Sequence, residues 1–195
     1  YALHLEQRLI EADEAFSKAI EITPQETGSR FGLAQMRFEL GRPAAALFKQ
    51  AAQSQQDNLD MMRNQAAALA TEGDILSAEQ LLTSTLTMHP DWLDGHKVLA
   101  TLRWTSGDRA HFADSYAAAC KTQPRNAALW LAWFSNLAQT RNWPAAQTIL
   151  DAAEQQLGTT PAITVARLFI ASESGDDHAA TTLFDQTRHI QGEVI

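Results

Sequence analysis

Glycines at a fixed interval, each closing an apolar stretch of helical period, constrain this chain more than any other feature. Gly41, Gly73, Gly107 and Gly175 hold such positions, and the last three fall on a register of 34 residues. The intermediate slot of that register is Arg141, and the residue after each slot is polar: Arg42, Asp74, Asp108, Asn142 and Asp176. Extended back 34 residues from Gly41, the register reaches Gln7. A period between about 20 and 50 residues marks a solenoid, in which no unit buries its own apolar face and neighbours stack to make a continuous core.

The remaining slots follow from the glycine. Five residues after it comes a small residue for close helix packing, as Ala12, Ala46, Ala78, Ala146 and Ala180, with Phe112 the exception. Four further on comes a large one, as Phe16, Leu82, Tyr116, Leu150 and Phe184, and three beyond that a small one, as Ala19, Ala119 and Ala153. These spacings put all three on one helical face. Pro24, Pro90 and Pro124 then end the second helix of a unit, because proline lacks an amide donor and clashes with the preceding turn. Leu33-Ala34 and Leu99-Ala100 mark the matching face of the first helix. The second unit departs from this pattern: it is two residues short, with Gln50, Gln53 and Asn58 at slots otherwise apolar, small and proline. The fifth replaces glycine by Arg141 and proline by Gly158.

Taken together, these residues resemble the tetratricopeptide repeat along essentially the whole chain. The resemblance implies an all-α fold, a right-handed superhelical solenoid of stacked antiparallel helix pairs. The units drawn from the register are a partial one at 1–26, then 27–58, 59–92, 93–126, 127–160 and 161–195, forming a single array. Sparse glycine and proline with abundant Ala, Leu, Gln and Glu favour helix over sheet. The register places Tyr1 within a first helix, and no polar capping helix follows the last unit; the expectation is a piece of a longer chain. The longest apolar cluster, around Leu129 to Phe134, is too short to span a bilayer.

A net charge of −8 argues against nucleic acid, which needs a basic footprint, and against anionic membranes. One cysteine, Cys120, excludes an internal disulfide; just after a small core slot, it reads as a buried, inert thiol. Compartment and oligomeric state are left open, with the cytoplasm as the default. His89-Pro90-Asp91 has the H-x-D spacing of non-haem iron ligands, but it falls on a helix-ending proline and the turn after it. His96 and His111 have no partner at metal-ligand spacing, and Asp176-Asp177-His178 occupies a turn, where aspartate commonly starts helices. No glycine-rich phosphate loop and no G-x-S-x-G turn occurs. The sequence therefore assigns no catalytic residue, no cofactor and no metal.

In the repeats this chain resembles, the first helix of each unit lines a concave groove. That geometry sends Phe31, Gln35 and Phe38 to the groove from the second unit, Asp60, Arg63 and Ala67 from the third, and Asp94, Lys97, Thr101 and Trp104 from the fourth. Leu131 and Ser135 come from the fifth, and Val165, Phe169 and Ser172 from the sixth. Trp130, Trp133 and Trp143 fall on slots that pack between helices, and Trp92 lies in the loop before the fourth unit. Trp104 and Phe38 are large aromatics on the face turned to solvent, the residue type that dominates binding hot spots. Phe38, Arg63, Lys97, Thr101, Trp104 and Leu131 are accordingly the candidate partner-binding residues. The lysine–asparagine–arginine clamp by which some members grip an acidic C-terminal tail is incomplete: beside Arg63, Asn64 and Lys97, the remaining slots hold Thr101 and Ala132. The implied partner is a hydrophobic or mixed protein or peptide segment. A second resemblance, of Pro90-Asp91-Trp92-Leu93-Asp94-Gly95-His96 and the Leu102-Arg103-Trp104 to Gly107-Asp108 stretch, is to arrays that precede 2-oxoglutarate/iron oxygenase domains. It implies a substrate-presenting accessory to a catalytic domain outside this chain.

Overall fold

A computed structural model describes residues 2–24, 26–53 and 58–192, with side chains over 8–24, 26–53 and 58–185. Among these residues there are only helices and turns. The helices are α1 (Ala2–Ile22), α2 (Thr27–Glu39), α3 (Ala45–Ala52), α4 (Leu59–Thr71), α5 (Ile75–Met88), α6 (Leu93–Ser106), α7 (Asp114–Thr122), α8 (Ala127–Gln139), α9 (Trp143–Leu157), α10 (Pro161–Ser174) and α11 (Asp177–Gly192). They form two compact units, Tyr1–Met88 and His89–Ile195. Within each, consecutive helices pack as hairpins, and in the second unit α8 also touches α6 and α10.

Local chemistry sets each hairpin turn. Gly41, Gly73, Gly107 and Gly175 all have positive φ, and Arg141 joins them at φ 54° as the one such non-glycine among the described residues. At four of these turns the next amide reaches back five residues, as in Asp74 N–H to the Leu69 carbonyl (2.9 Å) and Asn142 N–H to the Leu137 carbonyl (3.1 Å). This bond closes the first helix. The polar residue after the slot opens the second: Asp74, Asn142 and Asp176 each accept a backbone N–H three residues on. The units of Gly41 and Gly107 depart at this point, the first of them through its shorter length. In the other, Phe112 occupies the small slot, residues 108–113 form a loop, and α7 begins only at Asp114.

The core slots run in phase. Ala78, Leu82 and Thr85 on α5 are buried, as are Phe112, Tyr116 and Ala119, and Ala146, Leu150 and Ala153 on α9. At α3 the matching core slots fall on its N-cap Ala44, Phe48 and Ala51, with Ala45 and Ala52 buried beside them, while Ala46 and Gln50 are exposed. This corrects the sequence assignment. The two missing residues come out of the stretch between Gly41 and the first core slot, which falls three residues on at Ala44 instead of five, so every later slot moves back by two. Asn58 is then no failed proline slot but the N-cap of α4, accepting the Met61 amide at 3.2 Å. α3 begins only at Ala45, without the helical turn that carries this slot in α5 and α9, and has no capping side chain of its own. Glu72, at the end of α4, supplies one: its Oε1 accepts the Ala44 and Ala45 amides at 2.7 and 2.8 Å.

A second correction concerns the start. The register placed a turn at Gln7, yet α1 runs unbroken from Ala2 to Ile22. Gln7 and Arg8 are good helix formers and no glycine breaks the helix there. Pro24 and Pro90 lie two residues beyond the ends of α1 and α5, as Pro124 does beyond α7.

Candidate functional site

In the first unit, Phe38 lies on α2, partly buried and edge-on to Phe48 of α3 at 6.4 Å between centroids. Arg63 lies on α4 and its Nη2 pairs with Asp60 one turn earlier at 3.1 Å. In the second unit, Lys97 and Thr101 are exposed along α6. Trp104, one turn further, is partly buried: its ring meets Phe112 edge-on at 5.3 Å, and the Arg109 guanidinium lies 4.9 Å from its centroid. Packing and a cation–π contact inside its own hairpin already engage this ring.

Leu131 has different surroundings. It lines a groove of about 690 Å³ between α8 and α10, shared with Phe134, Ser135, Ala138 and Gln139 on one side and Pro161, Ala162, Val165, Ala166 and Phe169 on the other. Lys97, Thr101 and Trp104 do not line it. The i, i+4 spacing of Leu131, Ser135 and Gln139 on α8, and of Val165 and Phe169 on α10, puts each set on one helical face. Thr160 caps α10 through the Ile163 amide and Pro161 takes its first turn, which aligns that face. Alanines 138, 162 and 166 leave the space; Val165 and Phe169 border it at 56% and 46% exposure. Phe169 is held edge-on to Phe134 (6.4 Å) and Trp143 (6.1 Å), so the rim is positioned from below.

The groove carries no charge. Not one lining residue is ionisable. Arg167, the cation of α10, turns to α9, where Asp151 and Glu154 each bind its Nη2 at 2.7 Å. Hydrogen bonds from Thr159 and then Arg167 hold the Glu154 carboxyl below its ordinary pKa, and against the pull of desolvation the bonds to Asp151 and Glu154 raise that of Arg167. The Ser135 hydroxyl donates to the Leu131 carbonyl at 2.8 Å. Val165 and Phe169 belong to the face the sequence assigned to first helices, but aromatic size and charge directed attention to Trp104 and Arg63 instead.

The remaining sequence candidates have packing roles. His89-Pro90-Asp91 forms the turn between α5 and α6, closed by Trp92 N–H to the His89 carbonyl (3.0 Å). His96 is buried, stacked on Tyr116 at 4.8 Å, with Nε2 2.9 Å from the Pro90 carbonyl and Nδ1 buried without a partner. The bond makes Nε2 the protonated nitrogen, and burial pushes the pKa of the ring down. Trp130 repeats this contact one unit later, Nε1 donating to the Pro124 carbonyl at 2.9 Å. The Trp92 ring lies where a Cβ on Gly95 would sit, 2.1 Å from its nearest atom. The Pro90-to-His96 tract is thus accounted for by the packing of a helix start. Trp130 is buried and stacked on the partly buried Trp133; Trp143 is partly buried. Cys120 is buried and its thiol is pushed up to about 11 by desolvation, which keeps it protonated and unreactive. Among the described residues no cluster of three His, Cys, Asp or Glu could hold a metal, and no helix is long and apolar enough to cross a membrane.

No protein-family model matches the chain, and no curated protein sequence matches it. Solved structures do resemble it. Pseudomonas aeruginosa pilF aligns with a TM-score of 0.52 at 17% identity, over 98% of this chain and 93% of that one. A tetratricopeptide repeat protein from Parabacteroides merdae gives 0.52 at 14%, over 95% and 73%, and MamA gives 0.53 at 12%, over 78% and 91%. At these identities the likeness is one of fold. The chain is an all-α, tetratricopeptide-like array of helical hairpins.

Proposed function

We propose that this chain is a protein-interaction scaffold that acts by binding, and that a partner segment seats in the groove between α8 and α10. The observation that carries this reading is the exposure of Val165 and Phe169 at the border of an uncharged groove of about 690 Å³. Large apolar side chains left in water around a concave, well-supported surface are a signature of partner binding. In this reading Leu131 is a groove contact, while Lys97 and Thr101, exposed on the adjacent α6, extend the binding face; Trp104 is held within its own hairpin. Phe38 and Arg63 are the corresponding candidates on the first unit. The −8 net charge supports a protein partner over nucleic acid or an anionic membrane.

A displayed library of random 15-residue peptides, panned over the purified chain, tests it. Enriched peptides should be apolar, and Val165→Asp should weaken them at least tenfold with the melting curve unchanged. Enriched peptides that bind Val165→Asp as tightly as wild type would place the site elsewhere.

A further inference from the structure

We propose that the occupant of the α8–α10 groove is an amphipathic α-helix of a partner protein, with an uncharged face of two turns; this rests on the groove being the binding site. Two properties of the lining point there. The first is charge. With no ionisable lining residue and Arg167 neutralised on α9, a charge on the buried face of the occupant would lie unpaired, at a heavy desolvation cost. The matching surface is therefore neutral and apolar.

The second property is hydrogen bonding. Between the first turn of α10 and the last turn of α8, the walls are α-helices whose backbone groups bond within each helix. The Ser135 hydroxyl is spent on the Leu131 carbonyl, and Gln139, at one end, is the other lining side chain with a polar group. A segment bound in extended form would bury its own N–H and C=O groups against this wall without partners. A helix satisfies its backbone internally and presents side chains alone. The dimensions agree: Leu131 to Gln139 and Ala162 to Phe169 each cover about two turns, roughly 11–12 Å at ~1.5 Å per residue, the span of an i, i+3, i+4, i+7 face.

Two libraries with the same variable side chains separate the possibilities. One displays them on a single face of an 18-residue preorganised helix; the other holds them extended by proline at every third position. Both are panned against wild type and Val165→Asp, and the selected peptides are followed by circular dichroism. The expected result is enrichment from the helical library alone, with binding weakened at least tenfold by Val165→Asp at unchanged melting temperature. Enrichment from the extended library, or from neither, overturns the helix. Selected extended peptides that are sensitive to Val165→Asp would leave the groove standing and remove only the helix, whereas selected helices insensitive to it would remove the groove. Binding of zwitterionic vesicles lost in Val165→Asp, or a dimer that this variant dissociates, would give the groove to a lipid surface or a second copy and overturn the proposal.

Discussion

Trp104→Ala separates packing from recognition at the residue whose chemistry most suggests a hot spot. The ring is partly buried, edge-on to Phe112 and beside Arg109. A tryptophan buries about 150–250 Å² when fully enclosed, so partial burial here removes on the order of 100 Å² from water, worth roughly 2.5 kcal/mol at ~25 cal/mol per Å². The edge-to-face pair adds about 0.5–1.5 kcal/mol and the cation–π contact about 0.5–1. Alanine and local collapse recover part of this, leaving an expected loss of about 2–4 kcal/mol. Urea denaturation followed at 222 nm measures it, and a chain of this size should melt several degrees lower, at roughly 2–4 °C per kcal/mol. Phe112→Leu in the same background should cost less than it does alone, because the ring it faces is gone. A Trp104→Ala protein with wild-type stability would refute the packing argument and return the ring to the binding surface.

Three further perturbations probe the turns and caps. Arg141→Gly should stabilise the chain by about 0.5–1 kcal/mol in thermal melts, since a non-glycine residue is held at φ 54°; a lower melting temperature would mean that the arginine side chain contributes more than its backbone costs. Glu72→Ala should destabilise by about 1–2 kcal/mol, because α3 loses its cap, and Glu72→Gln should keep part of it; equal stability of all three proteins would contradict the capping role. His96 is held below its ordinary value of 6.5 in the folded chain. Its contribution is therefore complete above pH 6.5 and is lost as pH falls through the depressed folded value, when the ring must charge in its buried site. Denaturation series from pH 7.5 to 5 should show a shallower decline for His96→Gln than for wild type, and parallel profiles would exclude His96 as the titrating group.

Much of the fold was legible because its turns are local. A left-handed slot followed by a side-chain cap needs residues only a few positions apart, which is why the 34-residue register survives even where Arg141 replaces glycine. The shortened second unit was not legible for a related reason. Ala44, Ala45 and Ala46 all suit a small slot, so composition cannot say which one faces the core; the burial of Phe48 four residues after Ala44 decides it. The cap on α3 was also hidden, since Glu72 acts across about 28 residues of chain, beyond any local pattern.

The site was less legible because a groove is a property of two helices and of the volume missing between them. Trp104 sits on the expected face, but its unit carries Phe112 where others carry alanine, and the two rings fill the space that would have left Trp104 in water. Between α8 and α10 the balance is reversed. Ala138, Ala162 and Ala166 are too small to close the gap, so the larger Leu131, Val165 and Phe169 stand around it rather than over it. Residue size on one face therefore misleads when read one helix at a time: the largest aromatic marked a filled hairpin, and a run of alanines marked the opening. Ala162→Leu should therefore fill the groove from its α10 wall, abolishing binding of selected peptides while leaving the fold intact, because Ala162 is exposed and the added side chain enters space already open to solvent. Retained peptide binding in Ala162→Leu, with the chain still folded, would show that the cavity between these helices is not where the partner lies.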